Sequence, residues 1–246
     1  MGTIKDLFFS WDAVRPVLGD LLRGFWVTIE LTFLSLILAV SAGLILSVMR
    51  QTRTARPSLP KRIGTGVLRV LAVVYIDVFR GLPALLVIIM LYVSLPFTGI
   101  PVFKDFTGFQ VAILGLTLVY AAYLAEIFRA GIEAVERGQV EAARSLGMSN
   151  TQSLRKVVLP QAVRRVIPPL LNEFIILSKD TSLAGVIVVG EVVYVARTSQ
   201  AVTLNSTALT GAAVLFLVVT LPLIRVVDRY IERDRRRRGG GRVVIR

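Results

Sequence analysis

The 246-residue sequence contains no cysteine and no histidine. Without cysteine it can form neither a disulfide framework nor a thiolate metal site, and without histidine it lacks the commonest general base and metal ligand. It also contains no Gly-Lys dipeptide and no G-x-G-x-x-G, so it carries neither a Walker A phosphate loop nor a dinucleotide fingerprint. We therefore expect no enzymatic activity in this chain.

What the chain has in abundance is apolar sequence. Hydrophobic residues make up 54% of it and the mean hydropathy is +0.71, above the roughly 45 to 50% apolar content of soluble domains. Runs of about 20 apolar residues, enough to cross a hydrocarbon core as a helix, recur along the chain. The pattern predicts an all-α membrane protein with about five transmembrane helices, near residues 25–49, 70–95, 109–129, 166–189 and 204–227.

The fourth predicted span is the least regular of the five. Pro168 and Pro169 lie near its start, and the polar run from Ser178 to Ser182 interrupts it midway. Because irregular backbone at membrane depth needs partners other than lipid, we expect this span to be buried in protein or to line a cavity.

The basic residues predict the orientation. Six Lys and Arg follow the first predicted span, six follow the third, and nine lie in the tail from Arg225, against five on the opposite side. By the positive-inside rule the N-terminus is outside and the C-terminus is cytoplasmic. The net charge of +13 follows this topology and lacks interleaved aromatics, so anionic lipid headgroups are the expected partner and nucleic acid is not.

Two terminal segments differ from the predicted membrane domain, residues 25–230. Residues 1–24 mix apolar side chains with Asp6, Asp12 and Asp20, which is typical of an interfacial amphipathic helix and unlike a signal peptide. Residues 231–246 form a basic tail with Arg235 to Arg238 followed by three glycines, and this composition predicts disorder.

The second cytoplasmic loop, residues 131–165, contains a polar segment with strong local signals. Residues 140–146 suit a short helix, and Gly147 can take the positive φ of a C-terminal cap. Ser149 and Gln152 fit a capping box that starts a second helix, whose apolar stripe of Leu154, Val157 and Val158 precedes a stop at Pro160. We predict a compact knob of two short helices, although an ordinary solvated hairpin is an open alternative.

The same segment resembles a known signature. Glu141-Ala142-Ala143, Gly147 and Val157-Val158-Leu159-Pro160 have the spacing of the EAA motif of ABC importer permeases. The segments 78–83, 122–131 and 177–183 extend the resemblance to the polar amino acid uptake family, which includes histidine, arginine and glutamine permeases. The similarity covers residues 20–230, and the basic tail has no counterpart.

This resemblance implies a type I importer permease fold in the plasma (inner) membrane. It implies an alternating-access pore made with a second permease copy or paralogue, and an extracytoplasmic amino-acid-binding protein that delivers the solute. It places ATP and Mg in a separate ATPase subunit, so that this chain needs no cofactor. The residues implied in ATPase coupling are the following: Glu141, Ala142, Ala143, Gly147, Leu154, Leu159 and Pro160.

Ionisable residues inside predicted spans are candidates for the solute pathway, because a charge in hydrocarbon costs a few kcal/mol and usually faces a cavity or a partner. Lys179, Asp180, Thr181 and Ser182 place donors and acceptors midway through the fourth span, a mixture that suits a zwitterion. The alternative is a structural pair in which Lys179 and Asp180 neutralise each other.

Two further candidates, Glu126 and Arg80, each have a structural alternative. Glu126 either attracts a cationic solute group or joins Arg129 and Glu133 in a salt-bridged strip along one helix face. Arg80 either contacts a solute carboxylate or, paired with Asp77, braces a bend at Pro83. For both residues the structural alternative is the simpler one.

A small secondary transporter or channel is the rival function. It would use the same intramembrane charges as an ion relay, but it has no need of the knob between Glu141 and Pro160. A membrane-embedded enzyme is a third class, and the sequence offers no close carboxylate cluster for metal or acid-base work.

Overall fold

A computed structural model describes residues 4–51 and 59–237, and in these ranges the chain is helical and contains no strand. Twelve α-helices, α1 to α12, succeed one another along the described chain. They are Ile4–Phe8, Trp11–Val14, Leu18–Gln51, Leu59–Gly81, Ala84–Ser94, Pro101–Lys104, Gly108–Glu133, Arg137–Ser145, Asn150–Ser153, Leu159–Asp180, Val192–Thr203 and Thr207–Arg237. The expected all-α membrane fold is confirmed.

Three segments of the described chain are long and apolar enough to cross a membrane: Lys5–Arg50, which includes α3, Gly108–Glu133 and Thr207–Arg233. Helices α4 and α5 meet at an angle of 105°, and together they supply a fourth span if they form one broken span. The predicted bend at Pro83 is thereby confirmed: Pro83 is extended, with φ −61° and ψ 133°, and it starts α5. The count of five spans and the N-out orientation stay predictions.

The fourth predicted span corresponds to α10 followed by a 3-10 helix, Thr181–Ile187. The α-helix ends at Asp180, within the polar run that the sequence marks as an interruption. Pro168 and Pro169 lie inside α10, where the sequence placed them near the start of a span. The helix begins earlier than predicted, at Leu159, and continues directly from the cytoplasmic loop.

Helix α7 forms the centre of the fold. Its buried residues include Leu116, Val119, Leu124 and Phe128, and they belong to the main hydrophobic core. Helices α3, α4, α5 and α10 pack around it. Helices α3 and α12 also expose large apolar side chains such as Ile37 and Val218, as lipid-facing helices do.

The N-terminal segment is tied to the start of α12. The backbone N–H of Ser206 donates to the carbonyl of Leu7 at 2.9 Å, and Asn205 Nδ2 donates to the carbonyl of Asp6 at 2.9 Å. Within the predicted segment 1–24, α1 and α2 are short, and α3 has already begun at Leu18. At the other end, α12 stays helical through Arg237, and residues 238–246 of the predicted tail lie outside the described residues.

Candidate functional site: a capped knob and a polar cluster between helices

The knob between Glu141 and Pro160 has the cap that the sequence predicts. Gly147 has φ 81°, its N–H donates to Arg144 O at 3.0 Å, and the N–H of Met148 donates to Ala143 O at 3.2 Å. This pair of bonds satisfies the last carbonyls of α8 and requires a left-handed residue, which glycine adopts at no steric cost. The glycine turn is therefore part of a fixed shape.

The start of the second helix is also as predicted. The Ser149 side chain accepts the N–H of Gln152, and the Gln152 side chain accepts the N–H of Ser149, so both halves of the capping box are present. The Arg144 guanidinium also donates to Asn150 Oδ1, which joins α8 to α9 across the turn. Both helix ends at the turn are satisfied locally, and this rigidifies the knob.

The predicted helix stop at Pro160 is wrong. After α9 the chain forms a π-helical turn, Leu154–Val158, and then continues into α10, with Pro160 in its first turn. Proline lacks an N–H and clashes with the preceding turn of an α-helix, and the wider π-turn before it, together with its position in the first turn, accommodates this. The second element of the knob is thus the base of a long helix.

The π-turn also splits the predicted apolar stripe. Val158 is buried at the base of the knob with Val135 and Ala162, whereas Leu154 is 52% exposed. Ala143 packs inward while Glu141 and Ala142 face solvent. Leu146, Leu154 and Leu159 stay exposed, so the knob presents apolar side chains outward from a packed base.

A second set of residues connects α4, α7 and α10 and is named here the polar cluster: Arg80, Tyr120, Tyr123, Glu173 and Asp180. The Tyr120 hydroxyl donates to Asp180 Oδ2 at 2.8 Å. The rings of Tyr120 and Tyr123 lie 6.2 Å apart, and the Arg80 guanidinium lies 5.9 Å from the Tyr123 ring centre. Glu173 lies within electrostatic reach of Asp180.

The cluster links two predicted site residues, Arg80 and Asp180, through the rings of Tyr123 and Tyr120. Neither makes the pairing that the sequence offered as its structural alternative: among the ion pairs of the described side chains there is none between Asp77 and Arg80 or between Lys179 and Asp180. Lys179 is exposed and stands outside the cluster.

Thr181 and Ser182, the other two predicted pathway residues, differ in environment. Thr181 is fully buried and donates to Ser178 O at 2.9 Å, while Ser182 is half-buried. The Ser178 hydroxyl likewise donates to Ile175 O at 2.8 Å. The Thr181 bond occupies a carbonyl of the last turn of α10, and the Ser178 bond occupies one in the turn before it.

Three residues of the cluster were missed by the sequence reasoning. Tyr120 and Tyr123 stand three apart in an otherwise apolar span, and this spacing puts both hydroxyls on one helix side. Glu173 lies seven residues before Asp180, two turns away on the same helix face. These spacings were signals available in the sequence.

Glu126 is not part of the polar cluster and forms ion pairs with two arginines. Arg129 donates from Nη2 to Glu126 Oε2 at 2.8 Å, and Arg129 also contacts Glu133, so the predicted strip is confirmed. Arg50 from α3 contacts the other oxygen of Glu126, a partner that the strip did not include.

Comparison with known proteins places the chain among transport proteins. The family model described as "Binding-protein-dependent transport system inner membrane component" matches residues 64–237. The chain is 39% identical over 193 residues to the probable glutamine ABC transporter permease protein GlnP of Bacillus subtilis, covering 78% of this chain and 77% of that protein. It is 38% identical over 233 residues to the glutamate transport system permease protein GluC of Corynebacterium glutamicum, covering 91% and 96%.

A solved structure agrees with these sequences. The structure described as an amino acid ABC transporter with histidines superposes with a TM-score of 0.80 at 30% identity, covering 91% of this chain and 98% of that one.

Proposed function

The chain belongs to the family of binding-protein-dependent transport system inner membrane components, and from this we propose that it moves polar amino acids inward, driven by ATP hydrolysis in a separate subunit. Membership makes it a multi-pass plasma membrane protein and the permease subunit of an ABC amino acid importer. The coupling route and the solute site are the proposed parts.

The observation that carries the coupling proposal is the knob. Its two capped helix ends and its buried base hold it in one shape, while Leu146 is 81% exposed. A rigid element that presents exposed apolar side chains outside the membrane is suited to dock on a partner. We assign that partner as the ATPase subunit, whose closure displaces the knob and moves the membrane helices between inward and outward access.

The polar cluster supports the solute class. A zwitterionic amino acid needs a cation for its carboxylate and an anion for its ammonium group. Arg80 supplies the first, Asp180 and Glu173 supply the second, and the Tyr120 hydroxyl holds Asp180 in place. The relatives named for glutamine and glutamate are consistent with a polar solute.

Reconstitution tests the proposal. The chain, its ATPase and its binding protein are placed in proteoliposomes, and uptake of radiolabelled glutamine, glutamate and arginine is followed with ATP or with a nonhydrolysable analogue inside. We expect ATP-dependent uptake of at least one of these solutes. Uptake driven by a proton or sodium gradient without the ATPase would instead identify a secondary transporter.

Asp180→Asn tests the solute site within the same assay. The amide keeps the size of the side chain and loses its charge, so the apparent solute affinity should fall on the order of tenfold, as for loss of one charge-assisted hydrogen bond. ATPase binding should be unchanged, because Asp180 lies at the far end of α10 from the knob. Wild-type affinity and rate in this variant would exclude Asp180 from the pathway.

A further inference from the structure

The carboxylate of Glu126 joins two helices through its two oxygens. Oε2 accepts both Nη2 and Nε of Arg129, at 2.8 and 3.1 Å, within α7. Oε1 is contacted by Nη1 of Arg50, which lies in the last turn of α3. One carboxylate therefore contacts a cation from its own helix and a cation from α3.

These side chains are largely shielded from solvent. Glu126 is 16% exposed, Arg50 is 25% exposed and Arg129 is 27% exposed. A partly buried ion pair is screened by salt less than a surface pair. Salt should therefore weaken the attraction between Arg50 and Glu126 less than it weakens a surface salt bridge.

The same two helices touch again through backbone further along. A Cβ built at Gly43 of α3 would lie 3.0 Å from Ala121 O and 3.0 Å from Leu124 Cβ of α7, so a larger residue at this position would press against α7. Gly43 and Arg50 are seven residues apart, two turns on one face of α3. The interface between α3 and α7 is consequently fixed at two points, one steric and one ionic.

Helix α7 leads directly from this contact into the knob. It ends at Glu133, and α8 begins at Arg137. The Arg165 guanidinium from α10 donates to Ala134 O at this junction. A force applied to the knob therefore reaches the end of α7 within two turns of Glu126.

We propose that Arg50 and Glu126 form an ionic clamp that makes α3 and α7 move as one body, so that displacement of the knob is passed to the first membrane helix. Both are positioning residues for energy coupling, and Glu126 acts in transmission rather than in solute contact. This inference rests on the proposed ATP-driven function, because it concerns how the displacement of the knob is passed to the membrane helices.

The ratio of solute transported to ATP hydrolysed tests the clamp. In Arg50→Gln the ratio should fall on the order of tenfold, the usual scale of coupling between sites, while ATP hydrolysis without solute persists. Arg50→Lys should restore most of the ratio, since one nitrogen of Arg50 makes the contact and a lysine retains the charge. Arg69→Gln, at an exposed arginine of α4, is the matched control and should transport normally.

A distance measurement separates a loss of coupling from a loss of folding. Because the chain has no cysteine, spin labels can be attached through Val48→Cys on α3 and Gln139→Cys on α8. The distance distribution should be narrow in the otherwise unchanged chain and in Arg50→Lys, and broad in Arg50→Gln. Equal distributions in all three would overturn the clamp.

The experiments distinguish a failure of the proposed function from a failure of the clamp. If the unaltered chain shows no ATP-driven uptake, the proposed function is wrong. If it transports and Arg50→Gln keeps the wild-type ratio of solute to ATP, only the clamp is wrong.

Discussion

The hydroxyl of Tyr120 and the carboxylate of Asp180 share a 2.8 Å hydrogen bond that joins α7 to α10. Tyr120 is 3% exposed, so its hydroxyl has little access to water and depends on this partner. The bond fixes the orientation of the carboxylate that we assign to the solute ammonium group. It also places that carboxylate beside a helix that leads to the knob.

Tyr120→Phe removes this donor and little else. We expect the apparent affinity for solute in proteoliposome uptake to fall about five- to tenfold, in line with a hydrogen bond to a charged group. Tyr75→Phe is the matched control. The Tyr75 hydroxyl of α4 also donates a 2.8 Å hydrogen bond to α7, at Leu118 O, but it does not contact Asp180. Equal effects of the two changes would indicate a general packing role for the tyrosines.

Gly147→Val tests the shape of the knob. At φ 81° a β-branched residue costs roughly 1–2 kcal/mol or more, so the turn should open and ATP-driven uptake should be lost. Membrane insertion, measured by expression and size-exclusion profile, should be normal. Gly138→Val is the control: Gly138 lies in α8, its surroundings are equally open, and it has no positive φ. Normal uptake by Gly147→Val would disprove the need for a fixed knob.

Short-range features of the knob and of the end of α7 were predictable from sequence because their partners lie within five residues. The positive φ of Gly147, the capping box at Ser149 and the ion pairs of Arg129 are of this kind. Contacts between distant parts of the chain were not predictable: Arg50 and Glu126 are 76 positions apart, and Tyr120 and Asp180 are 60 apart. Which helix faces meet depends on packing, and a single sequence does not specify it.

The wrong prediction at Pro160 has a different origin. A proline within an α-helix removes one hydrogen bond and adds a clash, and the sequence alone gives no sign that a π-turn, Leu154–Val158, will precede it. The same rule placed Pro168 and Pro169 near the start of a span, whereas both lie inside α10. Tertiary contacts stabilise these helices against the local preference of proline.

Glu191 gives a prediction about pH. It follows the fourth predicted span, is fully buried, and caps α11 by accepting the N–H groups of Val193 and Tyr194. Burial raises the pKa of Glu191 to about 7, although these two bonds and Arg197 act to lower it. The folded state therefore binds this proton more tightly than the unfolded chain, where the pKa is 4.5.

The sign of the effect follows from linkage. The contribution of Glu191 to stability is fully present below pH 4.5 and is lost as pH rises toward 7. Between pH 5 and 8, we expect the thermal midpoint of the unaltered chain to fall by a few degrees relative to that of Glu191→Gln. Intrinsic fluorescence of the purified protein in detergent measures it, with exposed Glu136→Gln as control. A difference that does not vary with pH would contradict the assignment.

The base of the knob depends on close approach between Gly131 of α7 and Val166 of α10. A Cβ at Gly131 would overlap Val166 Cγ2 and lie 3.3 Å from Ala162 O, so Gly131→Ala should destabilise the fold by about 1–3 kcal/mol through overpacking. Because the overlapping atom belongs to a side chain, Val166→Ala in the same chain should recover most of the loss. Thermal midpoints of the single and double variants measure this, with Gly66→Ala as a control at a glycine that meets no neighbour within 4 Å. Additive losses in the double variant would show that the helices meet here in some other way.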